Sequence, residues 1–208
     1  MEFKQIINER RSVKKFDASH EISDATLIEL FSRVALSPSS FNLQHWRFVV
    51  VRDAVHKAQL RKASYNQEQV EIASATIVVA AKLNAHQDAR RIFTDAPQSV
   101  QDSMIPMIQS TYEGKPEFQR DEAVRSTSLA AMSLMYAAYD LGYATGPMIG
   151  FDPAAVSELV GLDDDHFPVM LIVIGKEVGE MRPRSARLPI SEFVKMETLD
   201  GAGLGADL

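Results

Sequence analysis

The chain is read as an α+β domain, a small central sheet wrapped by helices, in preference to a doubly wound parallel sheet. Three observations carry that reading. Only residues 48–51, 75–81 and 167–174 have the unbroken apolar, β-branched composition of buried strands, and they stand far apart. The intervals between them carry helical periodicity. Strand and helix do not alternate, and no G-x-G-x-x-G or Walker loop follows a strand, so neither Rossmann dinucleotide binding nor a P-loop is supported.

Each element has a local cause. Phe3, Ile6 and Ile7 share one helical face, so a short helix opens the chain. Ser23 is an N-cap with Ile22 and Leu27 in staple positions; Leu27, Leu30, Phe31 and Val34 form the buried stripe, and Pro38 ends the helix. Residues 48–51 are a buried strand, and Asp53 caps the helix after it. Residues 75–81 are the second strand. Residues 88–113 read as helical but broken near Pro97 and Pro106. From 117 to 141 runs a long helix whose middle is apolar nearly all round, which suits a core or the seam of a dimer, and Gly142 ends it. Asp152 and Pro153 pair an N-cap with proline at the first helical position, and Gly161 closes that helix. Residues 167–174 are the third strand. Residues 1–200 are read as one domain and 201–208 as a frayed, glycine-rich tail.

Composition narrows the function. With 208 residues, 46% hydrophobic and 24% charged, the chain has the balance of an ordinary globular domain. A net charge of −6 argues against general nucleic-acid binding. The absence of cysteine removes disulfides, thiolate ligands and cysteine nucleophiles. No apolar run approaches the ~20 residues of a membrane span, and the first residues lack the apolar core of a signal peptide, so a cytoplasmic location is expected.

Against that acidic background two stretches stand out. Arg10-Arg11-Ser12-Val13-Lys14-Lys15-Phe16 gathers cations and a hydroxyl directly after a short helix. Guanidinium forks and a neutral donor suit a phosphate; the alternative is a solvated basic face. Pro38-Ser39-Ser40-Phe41-Asn42-Leu43-Gln44-His45-Trp46 sets amides and hydroxyls before a strand. Such groups could read a flat heterocycle; the alternative is a helix stop and turn. Gly146-Pro147-Met148-Ile149-Gly150-Phe151-Asp152 is either a connector or a place where glycine lets backbone approach a flat ligand. Arg182-Pro183-Arg184-Ser185-Ala186-Arg187-Leu188-Pro189 is a second basic element or an exposed tail, and Tyr65-Asn66-Gln67-Glu68-Gln69 a polar helix start. His45 is taken as a packed or surface residue. His20, His56, His86 and His166 lack ligand spacing, so no metal is assigned.

The two stretches together resemble the nitroreductase superfamily, whose pattern is a basic R-x-S-x-[KR]-x-[FY] followed by P-S-x-x-N-x-Q-P-W and a strand. The chain is most similar to small bacterial members that carry N-L-Q-H in place of N-x-Q-P, and the resemblance runs from about residue 3 to 193. It implies a small central mixed sheet surrounded by helices in an intertwined homodimer whose C-terminal segment crosses to the partner. It further implies FMN as cofactor, NAD(P)H as electron donor, and a nitroaromatic or quinone-type acceptor. By resemblance, Arg10, Ser12 and Arg187 hold the phosphate, with Arg184 as a substitute for a lysine that relatives carry where this chain has Ser185. Arg11 lies near the ribityl–phosphate arm, Lys14 stabilises negative charge on the reduced ring, and Asn66 and Gln69 meet the polar edge. Pro147, Met148, Ile149 and Gly150 adjoin the flavin, Ile149 and Gly150 bringing backbone N–H groups to its reactive nitrogen, while Ser39, Ser40 and Asn42 line it from the partner subunit with Pro38 and Gln44 nearby. Two other classes stay open: a flavin storage or sensing protein without efficient turnover, and a related flavin enzyme such as a reductive dehalogenase.

Overall fold

The computed structural model describes residues 2–180 and 183–205. Arg182 of the second basic element and residues 206–208 of the expected tail lie outside them. The order of elements is α1 (Phe3–Glu9), α2 (Asp24–Val34), a 3-10 turn (Ser40–Asn42), β1 (Trp46–Val51), α3 (Ala54–Ala63), α4 (Gln69–Ile72), β2 (Ala75–Lys82) and a second 3-10 turn (Ala85–Asp88). There follow α5 (Ala89–Ile92), α6 (Gln98–Tyr112), α7 (Pro116–Asp140), β3 (Ala144–Met148), α8 (Pro153–Val160), β4 (His166–Gly175) and α9 (Ile190–Phe193). The expected caps are present. Ser23 accepts from the Thr26 N–H, Asp53 from that of His56, and Asp152 from those of Ala154 and Ala155. Gly161 closes α8 in the left-handed conformation.

The four strands lie in the order β1-β2-β4-β3, every neighbouring pair antiparallel. The expected mixed sheet is corrected accordingly. The physical reason is that each strand begins beside the end at which its predecessor stopped. Val51, closing β1, faces Thr76 near the start of β2, and Lys82, closing β2, faces His166, which opens β4. Among the described residues the parallel pairing is a single bridge, Ser12 with Thr145, on the outer edge of β3.

Two further expectations are corrected. Residues 146–148, the start of the 146–152 segment read as a connector or a ligand-approach loop, lie in the edge strand β3, where Pro147 leaves its missing donor on the side away from the sheet. Helix α6 runs unbroken through Pro106. Pro106 and Asp102, whose carbonyl the ring displaces from the helical ladder, are both exposed, so water can serve that carbonyl. Pro97 does act as a boundary, at the N-cap of α6.

Alternation along the strands splits the core between two faces. Ile77, Val79, Ile172 and Ile174 pack with Leu30, Val34, Ala130 and Leu134 of α2 and α7. Val78, Leu171 and Val173 pack with Leu60, Val70 and Val156 of α3, α4 and α8, and with Val13 and Phe16. A third cluster, Leu43, Ala85, Ile105, Ile108 and Tyr112, fills the space under α6. Helix α7 is buried along Ala130, Ala131, Leu134 and Ala138, but Leu129 is 50% exposed, so its apolar middle is not covered on every side within one chain. Among the described residues no helix is long and apolar enough to cross a membrane. The chain from Gly201 to Gly205 folds back on residues 194–196, with Met196 N–H bonded to the Ala202 oxygen at 2.9 Å and Leu204 N–H to that of Val194 at 3.0 Å.

Candidate active site

The basic stretch is placed by its apolar residues. Val13 and Phe16 sink into the second core, and Val13 N–H bonds the Thr145 oxygen at 3.0 Å, which lays residues 12–13 along the outer edge of β3. Ser12 and Lys14, flanking Val13, are thereby exposed. This approach depends on Gly146, where a Cβ would come within 2.5 Å of the Val13 oxygen and 2.9 Å of Val173 Cγ2. The close approach that glycine permits here is to the protein's own backbone.

A cavity of about 490 Å³ opens over this stretch, lined by Arg10, Arg11, Ser12, Lys14, Lys15, Gln69, Arg184 and Arg187 among others. Residues from near both ends of the chain thus converge. Arg184 Nη2 donates to the oxygens of Ile7, Asn8 and Arg10 at 3.1–3.2 Å, and Arg11 Nη1 to those of Asn8 and Glu9 at 2.6 and 2.8 Å. Both guanidinium groups complete carbonyls at the C-terminal end of α1, where cations are favoured. Arg187 Nη1 reaches only the nearby Ser185 and Ala186 oxygens.

Arg10 differs from its neighbours. Its Nη1 is buried with no hydrogen-bond partner among the described residues. Burial lowers its pKa, Tyr136 acts in the opposite direction, and the charges of Arg184, Arg11 and Arg187 lower it further. Glu68, Glu177 and Glu180 border the cavity, and burial raises the Glu177 carboxyl. Even so, among the described residues none of Arg10, Arg11, Lys14, Arg184 and Arg187 is ion-paired. Clustered cations with an orphaned buried donor could hold an anion with several acceptor oxygens.

A hydrogen-bonded chain extends from the cavity wall to the end of β3. Gln69 is buried and its Nε2 donates to Gln67 Oε1 at 3.0 Å; Gln67 Nε2 donates to the Gly150 oxygen at 2.7 Å. Met148 meets the same network, its sulfur 3.9 Å from Gln69 Nε2. Ile149 is 80% exposed. Pro147, Met148, Ile149 and Gly150 do not line the cavity but adjoin it through Gln69. Asn66 is exposed on a left-handed turn with Tyr65, its φ 58°. The sequence singled out Asn66 and Gln69 and passed over Gln67 and Glu177; neither has a distinguishing local signal.

The 38–45 loop lies elsewhere. Within one chain Pro38, Ser39, Ser40, Asn42 and Gln44 do not line the cavity. The loop sits beside the third core cluster, with Phe41, Asn42 and Gln44 all at positive φ. Ser39 Oγ accepts from the Gln44 N–H at 3.0 Å, and the Tyr112 hydroxyl bonds Ser40 Oγ at 2.8 Å. His45 is wholly buried, neither ring nitrogen has a partner, and burial first, then Arg47 and His86, lowers its pKa to about 4.

Comparison with known proteins shows what the chain is similar to. The model of the Nitroreductase family matches residues 7–176. MhqN of Bacillus subtilis, classed by its name with the NAD(P)H nitroreductases, is 42% identical over 202 residues, covering 93% of this chain and 98% of its own. A conjugated linoleic acid (CLA) biosynthesis enone reductase from Lactiplantibacillus plantarum is 31% identical over 181 residues, 82% of this chain and 83% of its own. A nitroreductase structure from Exiguobacterium sibiricum in complex with FMN superposes with a TM-score of 0.89 at 35% identity, covering 95% of this chain and 98% of that one.

Proposed function

The chain belongs to the nitroreductase family, and from that premise we propose that it is an FMN-dependent NAD(P)H oxidoreductase reducing nitroaromatic or quinone-type acceptors. The observation that carries the proposal is the unpaired cationic cavity with its orphaned Arg10 Nη1. A phosphate monoester fits that donor set in charge and in number of acceptor oxygens.

FMN, when bound, would supply hydride acceptance from NAD(P)H and electron transfer to an acceptor. The chain supplies binding, orientation and electrostatics. Arg10, Ser12 and Arg187 hold the phosphate. Arg184 acts chiefly as a clamp on α1, and Arg11 stands beside the ribityl–phosphate arm. Lys14 opposes negative charge at the polar edge of the ring, where Asn66 and Gln69 also meet it. Residues 147–150 present backbone to the reactive centre.

Pro38, Ser39, Ser40, Asn42 and Gln44 come from a second copy of the chain in a homodimer. Exposed apolar side chains on α7 and toward the C-terminus support this, among them Leu129, Leu188, Phe193 and Leu199. The resemblance to an enone reductase supports conjugated carbonyl compounds as a further acceptor class.

The test is the visible spectrum of the purified protein before and after anaerobic NADH or NADPH, with size-exclusion chromatography of the same sample. The expected result is a yellow dimer that bleaches on reduction. A colourless protein that fails to bind micromolar FMN would overturn the proposal.

A further inference from the structure

Gln67 occupies a position from which it fixes what two neighbours can offer a ligand. The Gly150 carbonyl can only accept, so the Gln67 atom 2.7 Å from it is the amide nitrogen. Gln67 Oε1 then faces Gln69 at 3.0 Å and must accept, so Gln69 turns its own nitrogen inward. The second Gln69 donor lies toward Met148 sulfur at 3.9 Å. Both Gln69 donors are therefore engaged within the protein, and Oε1 is the atom it has left to present.

The same bond acts on the backbone. The Gly150 oxygen is held by Gln67, and the Ile149 oxygen accepts from the Phe151 N–H at 3.1 Å. With the oxygens of residues 149 and 150 both accepting within the chain, these two residues have their own N–H groups to offer. A Cβ at Gly150 would lie 2.8 Å from Gln67 Nε2, so the glycine is what lets the amide reach its carbonyl.

We propose that Gln67 is a positioning residue: through Gly150 and Gln69 it turns backbone N–H groups toward the reactive centre of the ring and an acceptor oxygen toward its polar edge. The inference rests on the flavin reading given above. Gln67 itself holds no phosphate, so its loss acts on the orientation of the ring more than on the affinity for FMN.

Two variants test it. Gln67→Leu keeps the volume and removes both bonds. Gln67→Glu keeps the acceptor for Gln69 and loses the donor to Gly150 until its carboxyl is protonated. In the flavin-free protein, NMR is expected to show the Gly150 and Phe151 amide resonances shifted in Gln67→Leu. With FMN saturating, flavin reduction by NADH is expected to slow by roughly tenfold, the equivalent of about 1.4 kcal/mol, with little change in FMN affinity. Gln67→Glu is expected to be slow at about pH 8, where its ionised carboxylate has no donor for the Gly150 oxygen. Wild-type reduction rates and unmoved Gly150 resonances in both variants would overturn the inference. So would weaker FMN binding and lower thermal stability with a normal rate once saturated, which mark a purely structural role. Each of those outcomes in a wild type that binds FMN overturns only this inference, whereas a wild type that binds no FMN overturns the flavin reading and this inference with it.

Discussion

Arg184 donates through Nη2 to the carbonyl oxygen of Arg10 at 3.1 Å and its charge acts on the Arg10 guanidinium, while no carboxylate is paired to either arginine among the described residues. Assembling like charges around a buried, unpartnered donor costs stability that an anion restores. The flavin-free protein is expected to melt at a higher temperature on adding FMN. Saturation at about a hundred times the dissociation constant corresponds to about 2.7 kcal/mol. Arg10→Gln should lose most of that increment in a thermal-shift titration.

Among the described residues Arg187 bonds only the Ser185 and Ala186 oxygens of its own segment. A charge-assisted contact contributes ~1.5–3 kcal/mol, so Arg187→Ala is expected to raise the FMN dissociation constant roughly ten- to a hundredfold. Turnover of the flavin-loaded fraction should change less. Fluorescence titration at fixed ionic strength measures the first, and activity at saturating FMN the second.

Lys14 is exposed on the cavity wall, and Gln69 adds no second cation. Lys14→Met is expected to lower the flavin midpoint potential, because the ammonium favours the reduced, more negative ring over the oxidised one. A shift on the order of 20–30 mV corresponds to about 1–1.4 kcal/mol for a two-electron couple. Spectroelectrochemical titration of both proteins checks it; equal potentials would remove Lys14 from the mechanism.

His45 makes stability depend on pH in one direction. Its folded pKa of about 4 lies below the ordinary 6.5, chiefly because burial disfavours the cation. The neutral ring therefore contributes stability above pH 6.5, and that contribution is lost as pH falls from 6.5 toward 4. The full shift corresponds to roughly 3 kcal/mol. Urea melts across this range should show a shallower acid slope in His45→Phe than in wild type.

Gly146→Ala would bring a methyl against the Val13 oxygen and Val173. Overpacking of this kind costs about 1–3 kcal/mol. Because the strain falls on the segment that carries Ser12, next to Val13, FMN affinity is expected to drop together with thermal stability. Calorimetry and an FMN titration on one preparation measure both.

Much of the molecule was legible in the chain because its signals are local. Ser23, Asp53, Asp152 and Gly161 announce helix ends through their own chemistry, and the cations at 10–15 and 184–187 meet in one cavity. What escaped depends on neighbours distant in sequence. Gly146 and Pro147 look like strand breakers unless one knows that they form an edge beside residues 12–13. Pro106 reads as a break unless one knows that it faces solvent. Gln67 is one polar residue among several until Gly150 is placed beside it. The antiparallel sheet follows from where the helical connections return, which periodicity does not encode.

The bond from Arg184 to the Ile7 carbonyl joins residues 177 apart. During synthesis the basic cluster at residues 10–15 leaves the ribosome long before the arginines that complete its cavity. For most of translation it is an exposed patch of positive charge with no finished pocket. The cavity is therefore complete only once residues 184–187 have been made. A chain that stops short of Arg184 carries every cation of the first cluster and lacks one wall of the cavity.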